Sequence, residues 1–441
     1  MPIATGRKIW FVALPVIFAE LSEAVLHVID TALVGRVGTT ELAALVLADT
    51  ILEISLVAVI ALSEALQIVV ARRSGEGEDR SVGATFNRTV AAILLLSIGL
   101  VAAVKLVAPS VANLVADSDA VSRSVDRFLQ IAAFGLPFLA VSFAYSAFYV
   151  GISQTRALIA ATVVLALTNS VLGYALVLGK LGAPRLGLEG AAWASVVAEL
   201  ATAAALMAYA FGRRYRRFGL LRTNEVVAPP LSSLAGLAAP IAVYGLIEGA
   251  QWLLFFVIIE QLGTSVLAWS NVIYAWLLLL LIPTEALSQL TVSRVSSEIG
   301  RASQAGTSRV ANQFARHSLV ATVPLALLAI VAPEWVFSLF GGEVRPDETA
   351  VRALQLVAAG LIVAVPAAIW SSAVHGTGDT VAGAAFDSLG AIVMLAWAFV
   401  AVVIFRAGSA VVWAALPVSW AVALAVSYAW IKSGRWRRVT I

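Results

Sequence analysis

The stretch IWFVALPVIFAELSEAVLHVIDTALV, residues 9–34, decides the fold, because it is long enough to cross a bilayer yet carries ionisable side chains. These are Glu20, Glu23, His27 and Asp30. At about 100° per residue they fall within a wedge of about 80° on one side of a helix whose remaining surface is apolar. A carboxylate exposed to lipid at the bilayer centre is costly, so this face must contact protein or water. We therefore predict a helix that lines a polar cavity.

Composition places the whole chain in a membrane. Of the 441 residues 61% are hydrophobic and only 12% are charged, whereas soluble domains carry about 25% charged residues. The chain has no cysteine, which excludes disulfides and thiolate metal sites. Its three histidines, His27, His317 and His375, are far apart in the sequence, which argues against a His-rich metal site. The composition predicts an all-α, polytopic membrane protein that does not bind nucleic acid.

Twelve apolar segments are long enough to cross about 30 Å of hydrocarbon. They lie near 9–34, 41–71, 84–108, 126–150, 157–180, 189–212, 232–260, 265–293, 310–332, 350–373, 381–405 and 409–431. Twenty of the 29 Lys and Arg residues then fall on one side, which predicts that both termini are cytoplasmic. Because MPIATGRK runs directly into the first span, we expect no cleavable signal peptide. We expect a multi-pass protein of the inner (cytoplasmic) membrane.

The second half of the chain repeats the first at a constant offset. When Pro15 is aligned with Pro240, Glu23 falls on Glu248. Further coincidences at the same offset are Gly75 with Gly300, Gln130 with Gln355, Gly135 with Gly360 and Gly151 with Gly376. We predict two pseudo-symmetric six-helix lobes, 1–212 and 232–441, joined by a basic cytoplasmic linker, 213–231. In this transporter plan the substrate site lies between the repeats. Each proline removes a helical hydrogen bond, so Pro15 and Pro240 are predicted hinges.

Other spans also carry polar side chains at membrane depth. Asp49 and Glu53 share one face of the second span. Further examples are Tyr145, Asn169, Glu199, Glu248, Gln251, Tyr274, Glu285, Gln289 and Asp387. Such residues either form an acidic cavity for cations and protons or fasten helices together by hydrogen bonds. For single residues such as Asn169 and Asp387 both interpretations stand. The several acids of the first span favour function.

His27 lies four residues after Glu23 and three before Asp30, so it can hydrogen-bond to either carboxylate. One interpretation makes it a proton relay, and the other makes it the partner that lets buried carboxylates remain charged. The sequence leaves both open. The chain contains no GxSxG, P-loop or HExxH motif in a suitable context, and no loop is long enough for a nucleotide-binding domain. We therefore expect no enzyme and no cofactor, and an energy source outside the chain.

Three motifs carry a family resemblance. They are DTALVGRVGT at 30–39, ALQIVVARRSGEG at 65–77 and GLEGAAWA at 187–194. In this order, with Pro15 upstream and the internal repeat, they resemble the multidrug and toxic compound extrusion (MATE) family over essentially the whole chain. The resemblance implies a cation-coupled antiporter with a V-shaped pair of lobes.

The resemblance also implies roles for single residues. Asp30 matches an acid of the first helix that binds the coupling ion, Asn169 matches the fifth-helix Asn, and Glu248 matches a seventh-helix acid that contacts cation or substrate. The family often has Asp or Asn four residues after that Asn, where this chain has Gly173. Our predicted ion-coupling residues are Asp30, Glu23, Glu20, His27 and Asn169. Our predicted substrate-binding residues are Glu248, Gln251, Glu53, Asp49 and Tyr145.

The sequence thus favours a monomeric secondary antiporter that exports organic cations or drugs in exchange for H⁺ or Na⁺, by alternating access between two lobes. A flippase for a lipid-linked precursor is the rival hypothesis, but an anionic headgroup calls for Arg or Lys in the central cavity. Here the intramembrane ionisable groups are almost all acidic. A membrane scaffold explains least, because scaffolding gives no reason to bury several acids.

Overall fold

The described part of the chain folds into long apolar helices. The computed structural model describes residues 6–116, 118–222, 229–302, 306–339 and 346–439, and all regular structure in these ranges is helical. Twelve of the described segments are long and apolar enough to cross a membrane. The predicted all-α fold and the number of spans are confirmed. Several helices extend beyond the predicted boundaries. The third has 37 residues, about 55 Å of helix, so its ends project past the hydrocarbon.

The first compact unit is Met1–Ala239. Its helices are α1 (Gly6–Gly35), α2 (Thr39–Glu76), α3 (Asp79–Val115), α4 (Asp119–Ala132), α5 (Leu136–Gly151), α6 (Arg156–Leu178) and α7 (Leu188–Ala210). The helices α4 and α5 form a single span that contains one tight 3₁₀ turn, Ala133–Gly135. Pro137 explains this turn, because it has no N–H to donate to the carbonyl of Ala133.

The second compact unit is Pro240–Ile441. Its helices are α8 (Leu231–Glu260), α9 (Thr264–Gly300), α10 (Gly306–Val331), α11 (Pro333–Leu339), α12 (Glu348–Gly376), α13 (Thr380–Phe399), α14 (Ser409–Trp413) and α15 (Ala415–Ser433). The boundary between the units lies inside α8, so this helix begins in the first unit and continues into the second.

The first part of the predicted linker packs on the first unit. Asn87 on α3 donates from Nδ2 to the carbonyls of Gly219, 3.3 Å, and Arg222, 2.9 Å. Its Oδ1 accepts from the N–H of Leu221 at 2.7 Å. This single amide therefore fixes the backbone that follows the basic turn Arg213–Phe218. Residues 223–228 of the predicted linker lie outside the described residues.

The internal repeat is visible as the same contact in each unit. A Cβ on Gly151 of α5 would lie 2.8 Å from Val70 Cγ1 of α2. A Cβ on Gly376 of α12 would lie 3.0 Å from Val295 Cβ of α9, and Val295 is the counterpart of Val70. Both glycines let two helices approach closely, as small residues do in membrane proteins. The repeat predicted from the sequence is therefore a repeat of packing.

A second repeated contact is polar. Gln130 Nε2 donates to the carbonyl of Lys105 at 3.0 Å, and Gln355 Nε2 donates to the carbonyl of Ile330 at 3.0 Å. The carbonyl of Lys105 lacks its helical partner because residue 109 is Pro, which has no N–H. The carbonyl of Ile330 lies in the last turn of α10, where helical partners run out. Each glutamine thus donates to a carbonyl on a neighbouring helix that has no hydrogen-bond donor within that helix.

The close approach at Gly376 is testable by a single methyl group. In Gly376→Ala the new Cβ would lie 2.7 Å from the carbonyl oxygen of Val292, so α9 and α12 must separate. Such overpacking costs about 1–3 kcal/mol, and we expect a lower melting temperature for the purified protein in detergent. Gly99→Ala is the matched control, because its Cβ meets nothing within 4 Å. Equal melting temperatures for Gly376→Ala and wild type would contradict the assigned packing.

Candidate functional site

Asp30 and Asn169 form the centre of the candidate site. Asn169 Nδ2, on α6, donates to Asp30 Oδ1 at 3.0 Å and to Oδ2 at 2.9 Å. Asn169 is buried, with 5% of its surface exposed, and Asp30 on α1 is half-buried. Among the described residues, Asn169 Oδ1 has no hydrogen-bond partner. The site therefore pairs a carboxylate with a buried amide oxygen, which are both ligands suited to a proton or a hard cation.

Gly173 lies one helical turn after Asn169 and faces the same place. A Cβ at this position would lie 3.9 Å from Asp30 Oδ1 and 3.2 Å from Leu33 Cδ1. The position at which the resembled family often has Asp or Asn therefore points at Asp30 in this chain too. Because it is Gly here, α6 offers Asp30 only the amide of Asn169 from these two positions.

The remaining polar residues of α1 meet those of α2. His27 lies within electrostatic range of Glu23, Asp30 and Asp49. Glu53 also interacts with Glu23 and with Asp49. Glu23, His27 and Glu53 are exposed, whereas Asp49 is half-buried. The predicted stripe on α1 and the predicted face of α2 therefore form one cluster, in which His27 is surrounded by carboxylates.

Two further acids, Glu20 and Glu199, lie on α1 and α7. Glu20, half-buried on α1, lies three residues before Glu23. Glu199 on α7 is half-buried and interacts electrostatically with Glu23. The sequence shows Glu199 as one acid in the sixth span, but no spacing within that span connects it to α1. Its membership of the cluster depends on how α7 is rotated toward α1, which the structure supplies.

Tyr145 is not part of this cluster, and the prediction that it binds substrate needs correction. It is 1% exposed, and its ring packs 4.8 Å from that of Phe86 and 6.4 Å from that of Tyr149, centroid to centroid. A side chain with so little free surface cannot offer a face to a substrate in this conformation. The structure places Tyr145 in the aromatic core of the first unit.

The second unit has a different polar arrangement around α8. Glu248 is exposed, and it lies with Glu285 and Asp387 within electrostatic range of Tyr244. Gln251 Nε2 contacts Met394 Sδ at 2.7 Å, so its amide joins α8 to α13. Glu248, Glu285 and Asp387 thus form a second acidic cluster. Of the two substrate-binding residues predicted on α8, Glu248 belongs to this cluster.

The counterparts of Asp30 and Asn169 in the second unit are apolar. The offset that aligns Pro15 with Pro240 places Phe255 at the position of Asp30 and Met394 at that of Asn169. Both are 0% exposed. The pair formed by Asp30 and Asn169 is therefore specific to the first unit. Pro15 lies within α1 and Pro240 within α8, and the hinge role of each remains a prediction.

Comparisons with known proteins agree with this architecture. A family model described as MatE matches residues 15–175. A probable multidrug resistance protein NorM of Synechocystis sp. is 27% identical over 302 residues, which cover 68% of this chain and 65% of that protein, less than two thirds of its length. Another from Rhizobium meliloti is 25% identical over 357 residues, 79% of this chain and 74% of that protein.

Solved structures share the fold across nearly the whole chain. MATE in complex with MaL6 superposes with a TM-score of 0.88 at 14% identity, covering 98% of this chain and 97% of that chain. A MOP superfamily transporter from Pyrococcus furiosus, described as having a binding pocket of reverse polarity, superposes with a TM-score of 0.89 at 14% identity, covering 98% and 96%. The family model matches the first part of the chain, the relatives are similar over most of it, and the solved structures show the same fold, so the chain is similar to multidrug and toxic compound extrusion transporters.

Proposed function

We propose that the chain is a secondary active antiporter of the inner membrane, with cytoplasmic termini, that exports organic cations in exchange for H⁺ or Na⁺. The observation that carries this proposal is the Asp30 carboxylate, which receives both amide hydrogen bonds of Asn169 inside an apolar span. A charged group at this depth is rare and usually lies on an ion or proton pathway. The relatives named multidrug resistance proteins support export of drug-like molecules.

Coupling follows from the charge on Asp30. Binding of a proton or Na⁺ there neutralises a carboxylate that is only half-exposed, which changes the relative stability of two conformations. Asn169 Oδ1 is the buried acceptor that supports a bound ion at this place. His27, Asp49 and Glu53 lie around the same carboxylates, so an arriving ion meets a preformed negative field. Alternating access of the two lobes completes the proposed cycle.

Substrate recognition in this proposal centres on Glu248. Trp252 lies one helical turn after Glu248 on α8 and therefore shares its face. Its ring packs 4.4 Å from that of Tyr274 on α9, centroid to centroid. A carboxylate next to half-buried aromatic rings suits a flat organic cation, through charge and cation–π attraction. The rival flippase would bind an anionic headgroup, which the carboxylates of this cluster would repel.

The proposal is tested in proteoliposomes that contain the full-length protein. An imposed pH or sodium gradient should drive accumulation of a fluorescent dye cation, and dissipating that gradient should stop it. A panel with both gradients separates proton from sodium coupling. Transport of a lipid-linked anion without any cation transport would instead favour the flippase.

We expect Asp30→Asn to reduce gradient-driven transport to the level of empty liposomes. The amide cannot gain or lose a proton or neutralise a cation, although it keeps the size of the carboxylate. Folding should survive, because removing a charge from a half-buried site relieves desolvation. Asp119→Asn, the same change at an exposed helix start, is the matched control. Full transport by a well-expressed Asp30→Asn protein would contradict the proposal that Asp30 binds the coupling ion.

We expect Glu23→Gln and Glu248→Gln each to weaken binding of the dye cation without abolishing it. The two residues are counterparts in the repeat and both are exposed, so each loses a partly solvated charge contact of about 1 kcal/mol, or about fivefold in affinity. Fluorescence titration of the purified variants measures this. Glu260→Gln, at the exposed end of α8, should bind as wild type does. Wild-type affinity in Glu248→Gln contradicts its assigned role.

A further inference from the structure

The second unit contains a polar network that the proposed transport cycle does not use. We propose that Ser371, His375 and Asp387 form a proton-binding site, at which His375 gains and loses one proton near the end of α12. The proposal deepens the proposed function, since it adds a second titratable site to the antiporter. It does not depend on that function for its own test.

The geometry joins two neighbouring helices through one carboxylate. Ser371 and His375 are four residues apart on α12, so they share a face. Ser371 Oγ donates to Asp387 Oδ1 at 2.5 Å, and His375 Nε2 lies 2.9 Å from Asp387 Oδ2. The side chains of His375 and Asp387 are each 15% exposed. Both oxygens of Asp387 are therefore occupied, and the ring is held in one orientation.

A glycine on α13 makes room for the imidazole. Gly383 lies one helical turn before Asp387, and a Cβ there would lie 2.6 Å from both Cε1 and Nε2 of His375. That distance is far below normal van der Waals contact, so any side chain at position 383 would displace the ring from Asp387. The ring rests on bare helix backbone, which keeps Nε2 directed at the carboxylate.

The chemistry of this pair fits uptake of one proton. With a neutral imidazole the pair carries one negative charge, whereas an imidazolium beside the carboxylate makes a net neutral ion pair. Histidine is the side chain whose ordinary titration lies near neutral pH. A contact that only fastened α12 to α13 would be served equally well by a neutral amide. The titratable ring is thus the feature that a purely structural role leaves unexplained.

Other charged groups on the packed helices mostly have partners of their own. From α8, Tyr244 interacts electrostatically with Asp387 and also with Glu248 and Glu285. The titratable residues that pair elsewhere are Arg294 with Glu298 on α9 at 3.0 Å, His317 with the Gln313 carbonyl on α10 at 2.8 Å, and Lys432 over the Tyr428 ring on α15 at 5.4 Å. Helix α11 carries Glu334 in its first turn, and α14 has no titratable residue. The electrostatic surroundings of the pair therefore include Tyr244 of α8 and Asp379 at the start of α13, whose Oδ2 accepts from Trp430 Nε1 at 3.1 Å.

His375 and Asp387 lie near the ends of α12 and α13 that are predicted to be cytoplasmic. In the orientation predicted by the Lys and Arg distribution, α12 runs toward the cytoplasm and His375 is its penultimate residue. In the same orientation α13 begins on the cytoplasmic side, and Asp387 lies about two turns into it. The pair formed by His375 and Asp387 is therefore placed to exchange its proton with the cytoplasm.

The test is a ¹⁵N-histidine NMR titration of the full-length protein in lipid nanodiscs, between about pH 5 and 9. His27→Gln, His317→Gln and His375→Gln assign the three ring signals. We expect the His375 ring to change protonation state within this range. The titration midpoint of the His375 ring should move by about one pH unit or more in Asp387→Asn, which removes the charge of the carboxylate. It should move as well in Gly383→Ala, because the new methyl group separates the ring from the carboxylate. The His317 ring pairs with a backbone carbonyl on α10, so its signal should behave in the same way in wild type and in both variants.

A His375 ring that stays in one protonation state throughout, or has the same midpoint in wild type and Asp387→Asn, overturns the proposal. A transport arm then tests its use. His375→Gln retains a donor to Asp387 but cannot titrate, so the pH profile of dye transport should change while His317→Gln leaves it unchanged. Identical wild-type and His375→Gln profiles exclude a part in coupling. If His375 titrates but wild type moves no cation under any gradient, the proposed function fails and the proton site stands.

Discussion

A carboxylate that enters an apolar span must find its polar partners within the protein, because the surrounding lipid offers none. For Asp30 this constraint is met by one contact, in which the amide of Asn169 donates to both carboxylate oxygens. The contact requires α1 and α6 to face each other with defined rotations. Once α1 is rotated in this way, the same face brings His27 into range of Asp49 on α2. The arrangement of the cluster therefore depends on the Asp30–Asn169 pair.

The two units share their packing but differ in their chemistry. Glycines at equivalent positions allow the same close approach of helices, and glutamines at equivalent positions satisfy the same kind of free carbonyl. In contrast, the pair Asp30 and Asn169 corresponds to buried Phe255 and Met394. The second unit instead holds its hydrogen-bonded acid at Asp387. A duplicated scaffold thus carries two unlike polar sites, since function depends on side chains placed on a fold rather than on the fold itself.

Much of the architecture could be predicted from the sequence, for a definite reason. Spans are long and apolar, and the matches of Pro and Gly between the two halves, all at one offset, are hard to obtain by chance. Helical periodicity also predicted that the polar residues of α1 share one face. Periodicity gives the face of a helix but not the helix that it meets. For this reason the sequence does not connect Glu199 to α1 or Asp387 to its partners Ser371 and His375, and it predicts a substrate contact for Tyr145, which lies in the core.

The contact of Gln130 with the carbonyl of Lys105 has a consequence for how this sequence can change over evolution. Pro109 removes the N–H that would bind this carbonyl, and Gln130 supplies the missing donor in a part-buried position. Loss of the glutamine alone strands a carbonyl, whereas loss of the proline alone restores the helical bond and leaves the amide without that acceptor. Selection therefore acts on the two positions jointly. Among related chains, Pro109 and Gln130 should be kept together or replaced together, although they belong to different helices, α3 and α4.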